Sequence, residues 1–125
     1  MLNKALNADT APKAVGPYSH SVLAGETLYI SGQLGIDPTT SQLQDGVTAQ
    51  AEQAMANLGA ILKNAGMDYT NITKTTIFIK NMADFSAINE IYGRYFTKIL
   101  PARSCIAVAE LPLQGLFEVE AVAVK

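Results

Sequence analysis

Arg103 opens the run Arg103-Ser104-Cys105-Ile106-Ala107-Val108, directly after Pro101-Ala102. A guanidinium presents a planar fork of donors that meets a carboxylate in two parallel charged hydrogen bonds, which a lysine does not reproduce. A cation at the mouth of a strand is therefore placed to hold a small anion. Glu118 and Glu120 are the complementary oddity: they interrupt the otherwise apolar run Phe117 to Val124. The two-residue period of a strand puts both on one face. Carboxylates are almost never fully buried without a partner. Each glutamate thus either pairs with a cation, Lys74, Lys80 or Arg103 being available, or lines a wet cleft where it exchanges a proton. Repulsion between the two acts to raise the pKa of one. The competing structural reading makes Arg103 an ion-pair partner of Glu110, Glu118 or Glu120.

His20 is the only histidine and Cys105 the only cysteine, so thiol catalysis would have to join these two. The pattern favours plainer roles: a strand histidine facing solvent or a neighbouring subunit, and a small apolar strand residue whose thiol only Arg103 would activate. One thiol closes no intrachain disulfide and, with one histidine, makes no zinc site of the usual kind. A reducing cytoplasm fits that usage.

Several function classes drop out. The chain contains no GxxxxGK, no GxGxxG, no HExxH and no GxSxG. Gly32 and Gly35, only three apart, do not make a phosphate cradle. Nine Lys and Arg against eleven Asp and Glu leave a net charge of -2 and a pI of about 5.2. Without clustered cations, nucleic acid is not expected as an obligatory partner. The longest apolar stretches fall well short of the roughly 20 residues a membrane span requires, and the N-terminal stretch lacks the apolar block of a secretory signal.

The elements that must position Arg103 and the glutamates follow from the pattern. A length of 125 residues against roughly 100 to 200 per domain predicts one domain over 1–125. Val15 to Leu23 and Thr27 to Ser31, separated by Ala24-Gly25-Glu26, read as a hairpin. Asp37-Pro38-Thr39-Thr40 reads as a turn, with a short edge strand near Gln42. Ala51, Ala54, Met55, Leu58, Ile61, Leu62 and Ala65 recur at helical spacing, predicting a helix over Thr48 to Ala65 with Asp45 or Thr48 as cap and Gly66 as its end.

Ile72 to Lys80, rich in Thr and Ile, reads as a strand. Asp84 is the expected cap of a second helix whose apolar side runs through Phe85, Ile88, Ile91, Tyr92, Tyr95, Phe96 and Ile99, with Pro101 at the exit. Arg103 to Glu110 and Phe117 to Val124 read as the last two strands. The order predicts an α+β domain in which a single sheet carries two helices on one face. The final strand bears methyl groups on both faces, and only 16% of residues are charged. The face that helices leave bare is thus expected to be covered by copies of the chain in closed symmetry.

Strand geometry limits where Arg103 and Glu118 can meet. If the last two strands formed a simple hairpin, Glu118 would sit roughly 20 Å along the strand from Arg103. With another strand between them they would still be about 10 Å apart laterally. A small carboxylate touched by both therefore belongs between subunits.

Five collinear blocks carry a resemblance. Gly16-Pro17-Tyr18-Ser19, Leu28-Tyr29-Ile30-Ser31-Gly32-Gln33, Lys74-Thr75-Thr76-Ile77-Phe78-Ile79-Lys80, Asn89-Glu90-Ile91-Tyr92 and Pro101-Ala102-Arg103-Ser104-Cys105, the last followed by Leu111-Pro112 and Glu118-Val119-Glu120-Ala121, resemble the RidA (YjgF) family of imine deaminases over essentially the whole chain. The resemblance implies a chorismate-mutase-like fold (βαβαββ core) assembled as a homotrimer with a cleft at each subunit interface. It implies hydrolysis of 2-imino acids, 2-iminopropanoate and 2-iminobutanoate, to 2-oxo acids and ammonia, with no cofactor and no metal. Arg103 would then clamp the substrate carboxylate and Glu118 would hold or activate the attacking water. Tyr18, Ser31 and Asn89 would shape the cleft, and Gly32 and Cys105 would offer main-chain groups. Leu113-Gln114 departs from a basic residue often found there in the family, and the connection over 96–100 is shorter than in many relatives. Two other readings stay open at this point: a regulatory module that binds a small carboxylate, and the endoribonuclease activity described for some members, which the acidic charge balance disfavours.

Overall fold

Six strands make the main sheet of the protein, whose computed structural model describes residues 2–125. They are β1 (Lys4–Leu6), β2 (Ser21–Ala24), β3 (Thr27–Leu34), β6 (Ile72–Ile79), β7 (Ala102–Ala107) and β8 (Phe117–Val124), in the spatial order β1-β2-β3-β8-β6-β7. Two helices, α1 (Val47–Asn64) and α2 (Phe85–Gly93), lie between the strands in sequence. From β3 onward the main elements run βαβαββ, as expected. The sheet is not quite single: β4 (Ile36–Asp37) and β5 (Gln42–Leu43) pair as a separate two-stranded ribbon, so the edge strand expected near Gln42 never joins the main sheet. All main-sheet neighbours are antiparallel except β6 and β7, which are parallel because α2 carries the chain back across.

The alternation of β8 decides which face is the core. Phe117, Val119, Ala121 and Ala123 are buried against Met55, Leu58, Ile61 and Leu62 of α1 and against Ile88, Ile91 and Tyr92 of α2. Burying each large side chain contributes about 1.5–3 kcal/mol, more than the roughly 1 kcal/mol that Gly93 costs its helix, so α2 forms despite that glycine. Both helices share this face. The other face shows Tyr29, Lys74, Phe78, Ile106, Glu118, Glu120 and Val122, with Tyr29 and Ile106 about half exposed. Among the described residues, no helix is long and apolar enough to cross a membrane.

Local expectations fail where long-range bonds override the pattern. Val15 to His20 is not strand: the ladder starts only at Ser21, and residues 7–20 form a strap across the end of the sheet. Its anchor is His20, which is buried and faces neither solvent nor a neighbour. Its Nδ1 accepts the Ala8 N–H at 3.0 Å and its Nε2 donates to the Pro12 carbonyl at 2.6 Å, while its own backbone N–H reaches Asn7 Oδ1 at 2.9 Å. Neither Asp45 nor Thr48 caps α1; Gly46, at φ 88°, takes that place without a side-chain bond. Asp84 does stand at the N-cap of α2, but without a side-chain capping bond, because it already has helical backbone at the end of a short 3-10 turn over Met82–Asp84. Gly66 does end α1, at φ 74°, with its N–H on the Lys63 carbonyl and the Met67 N–H on that of Leu62.

The second helix stops at Gly93 rather than continuing to Ile99. The N–H groups of Arg94, Tyr95 and Phe96 turn to carbonyls three residues back, a tightening that lets Phe96 pack on Tyr92 and Tyr69 while Ile99 stays 63% exposed. β7 likewise ends at Ala107, short of Glu110.

Candidate active site

Register places the two expected reactive groups on opposite faces of one sheet. Arg103 pairs with Thr75, and Thr75 with Ala121, so Arg103 lies on the helix-covered face. Glu118 pairs with Phe78 on the uncovered face. β6 lies between β7 and β8, excluding the hairpin arrangement. The two residues are thus two strands, about 10 Å, apart laterally and three residues, about 10 Å, apart along the sheet, with the sheet itself between them.

The Arg103 half is built by α2. Its Nη1 donates to Asn89 Oδ1 at 2.8 Å, and its guanidinium carbon sits 5.0 Å from the Tyr92 ring centre and 5.5 Å from that of Phe85, within cation–π range. The spacing 85, 89, 92 is one helical face, so α2 presents a bed of two rings and an amide. Tyr92 is fixed by a 2.7 Å bond between its hydroxyl and Thr75, and burial holds its pKa above the ordinary value, against the lowering effects of Thr75 and Arg103. Asn89, Tyr92, Gly93, Leu100, Pro101 and Arg103 line an open depression of about 290 Å³. Arg103 meets no acid: among the described residues the one ion pair is Arg94 with Glu90. Cys105 is beside Arg103 on the same face, and burial pushes its thiol up while Arg103 pulls it down less. A protonated thiol is a poor nucleophile.

The Glu118 half is built by a break in β3. Between Ile30 and Gln33 the ladder shifts, so that Ser31 and Gly32 together oppose Glu120. Such a bulge bends the strand and re-aims its backbone. The Glu118 carboxylate lies against Gly32, where an added Cβ would fall 2.6 Å from Oε2. Pro12, Val15, Tyr18, Leu34, Ile36 and Leu113 help enclose a cleft of about 230 Å³ around Gly32 and Glu118, with Lys13 contributing a cation to the lining. Burial raises the Glu118 pKa above its ordinary value, and the neighbouring Glu120 charge adds to that rise.

Of the expected site residues, Tyr18, Gly32 and Glu118 share this cleft, while Asn89, Arg103 and Cys105 belong to the other half. Ser31 lines neither: its hydroxyl donates to the Ser19 carbonyl at 2.7 Å and its N–H to the His20 carbonyl at 2.9 Å, tying the strap that carries Tyr18 to the bulge. Phe85 and Tyr92 beside Arg103, and Val15 and Leu113 in the Glu118 cleft, are neighbours that sequence reasoning does not single out. The 85, 89, 92 spacing is the available signal for the first two; the apolar pair is brought to Glu118 by loops with no periodicity. Chemically, one half can orient a carboxylate and the other can accept a proton in a largely apolar cleft.

The chain is similar to characterised proteins along its whole length. A sequence model described as endoribonuclease L-PSP matches residues 8–125. The human 2-iminobutanoate/2-iminopropanoate deaminase is 46% identical over 126 residues, covering 100% of this chain and 92% of its own. The crystal structure of the E. coli YjgF gene product superposes with a TM-score of 0.94 at 39% identity, covering 98% of each chain. E. coli TdcF, solved with bound serine, gives a TM-score of 0.95 at 38% identity, again over 98% of each chain. A fold, a motif set and an identity of this extent lead to one conclusion: the chain belongs to the endoribonuclease L-PSP family, the RidA (YjgF) group that its motifs resemble.

Proposed function

We propose that the protein hydrolyses 2-imino acids such as 2-iminopropanoate and 2-iminobutanoate to 2-oxo acids and ammonia, without cofactor or metal, as the name of its human relative states for that protein's substrates. The observation that carries the reading is the division of the site: a guanidinium with no acid partner, bedded on Asn89 and two rings, and a carboxylate with a raised pKa in an apolar cleft. Arg103 would hold the substrate carboxylate. Glu118 would take a proton from the water as it adds to the C=N carbon and pass it to the nitrogen; the C–N bond would then break as Glu118 takes the remaining hydroxyl proton, releasing ammonia and leaving the 2-oxo acid. An iminium carbon is already electrophilic, so the step needs orientation and a proton acceptor more than a strong base. Tyr18, Gly32, Asn89 and the Cys105 main chain would shape the pocket, and Ser31 would act by fixing the strap.

Because the two halves lie on opposite faces, the reading requires copies of the chain, with Arg103 of one completing the Glu118 cleft of another. We take the assembly to be a homotrimer of a chorismate-mutase-like fold, the uncovered face with Tyr29, Ile106 and Val122 supplying the contact. The single thiol fits a reducing cytoplasm. A dehydratase acting on serine or threonine would supply the imine in a coupled assay, and 2-oxo acid release would be followed with and without this protein. Acceleration supports the reading; none rejects it. Serine bound in TdcF favours one second reading, a binding module for a small amino or 2-oxo acid, which would show saturable binding without acceleration.

A further inference from the structure

Helix α1 carries two amides, Gln50 and Asn57, that are only 5% and 2% exposed. They lie seven residues apart and therefore on one side of the helix. A buried amide is costly unless its donors and acceptor are met, and these are met by the backbone that flanks Glu118. Asn57 Nδ2 donates to the Leu34 carbonyl at 3.1 Å and to the Ile36 carbonyl at 2.9 Å. Gln50 Oε1 accepts the Leu116 N–H at 2.8 Å, and its Nε2 donates to the Gln44 carbonyl at 3.0 Å. Gln53 orients Asn57: its Nε2 donates to Asn57 Oδ1 at 2.9 Å, while its Oε1 accepts from the Gln44 side chain at 3.1 Å. Gly35 lets the helix come this close, since a Cβ there would overlap the Gln50 backbone.

The bonds fall where the sheet leaves position open. The β3–β8 ladder skips Ser31 and Gly32 and resumes with Gln33 on Val119 and Leu34 on Glu118. Beyond a bulge, register depends on whatever fixes the following residues, and a one-residue slip would turn every side chain to the other face. Leu34, the partner of Glu118, is held by Asn57; Leu116, two residues before Glu118, is held by Gln50. We propose that Asn57 and Gln50 are positioning residues for the Glu118 carboxylate, locking the strand past the bulge and the start of β8 so that Gly32 stays beneath Glu118.

The effect on turnover rests on the imine-hydrolase reading; the effect on Glu118 does not. Asn57→Leu keeps the branched shape and removes the amide, and Gln53→Ala leaves Asn57 in place but removes the group that orients it. Both would be compared with wild type by circular dichroism, by steady-state kinetics and by 13C NMR titration of the Glu118 carboxyl. The expected result for folded Asn57→Leu is a kcat about tenfold to a hundredfold lower with KM nearly unchanged, as misplacement of a reacting group by about 1 Å produces. The Glu118 carboxyl should titrate at lower pH than in wild type as water reaches it. Gln53→Ala should move the titration in the same sense by less. A merely structural role would lower the unfolding midpoint and leave the titration where it was, overturning the proposal. If Asn57→Leu does not fold, an unmoved Glu118 titration in Gln53→Ala overturns it equally. A wild type that turns over no imine rejects the proposed function alone, because the titration still reads the clamp.

Discussion

The Glu118 carboxylate rests on Gly32: a side-chain carbon at that glycine would stand 2.6 Å from Oε2 and 2.9 Å from Cδ of the acid. The contact makes position 32 a direct control on where the acid points, even though residues 32 and 118 are far apart in sequence.

Gly32→Ala should therefore displace the carboxylate. Gly32 is not in the left-handed region, so alanine is accepted by the backbone and the fold should persist by circular dichroism. The expected outcome is a fall in kcat of about tenfold or more, read in the coupled dehydratase assay. An unchanged kcat would mean that the acid has room to move without consequence.

Arg103→Ala should raise KM and abolish most turnover while the assembly stays intact. The side chain's partners within the chain are Asn89 and two ring faces, none of them a buried charge that would be left unpaired. Hydrogen bonds to charged groups contribute about 1.5–3 kcal/mol, roughly tenfold to a hundredfold in affinity. Arg103→Lys should recover little, lacking the fork. Size-exclusion chromatography of the variant checks the assembly; dissociation into single chains would make Arg103 a structural residue.

Glu118→Gln separates proton transfer from shape, and its pH behaviour has a fixed sign. A base works when ionised, and burial together with Glu120 holds the Glu118 pKa above its ordinary value. Wild-type kcat/KM should accordingly fall as pH drops through a pKa higher than that of an ordinary glutamate, and the variant should lack that limb. For stability the sense is opposite. A carboxyl whose folded pKa is raised favours the folded state while protonated, and that advantage disappears as pH rises from the unfolded value through the folded one. The variant should gain in unfolding midpoint over wild type at neutral pH and lose that gain in acid.

His20→Ala should loosen the strap. It leaves the Ala8 N–H and the Pro12 carbonyl without their ring partner, and an unmet buried group costs about 1–3 kcal/mol. Denaturant titration should show a lower midpoint, and limited proteolysis should cut within residues 7–16 before the sheet is attacked.

Legibility in the sequence follows the range of the interactions. β8 appears over the residues its alternation predicts, and α1 appears within one residue of its apolar period, because both signals are local and agree with burial. The strap reads as strand because nothing in Val15 to His20 announces that His20 is claimed by backbone eight and twelve residues earlier. The end of α2 escapes the pattern because Tyr95 and Phe96 keep the apolar period while packing as rings outside the helix. Parity puts Arg103 and Cys105 on one face of their strand. Which face of the sheet that is depends on the parallel pairing of β7 with β6, a contact between segments about 28 residues apart that no local pattern encodes. The amides of α1 sit beside the apolar stripe rather than in it, and only their bonds to Leu34, Ile36 and Leu116 reveal what they hold.

The division of the reactive groups between two sides of one sheet has a genetic corollary. If copies assemble as proposed, so that the guanidinium and the carboxylate of each pocket come from separate polypeptides, a chain lacking Arg103 and a chain lacking Glu118 would spoil complementary halves. Co-assembled, the two dead chains would regenerate some intact pockets, so activity would reappear on mixing and refolding two preparations that are each inert.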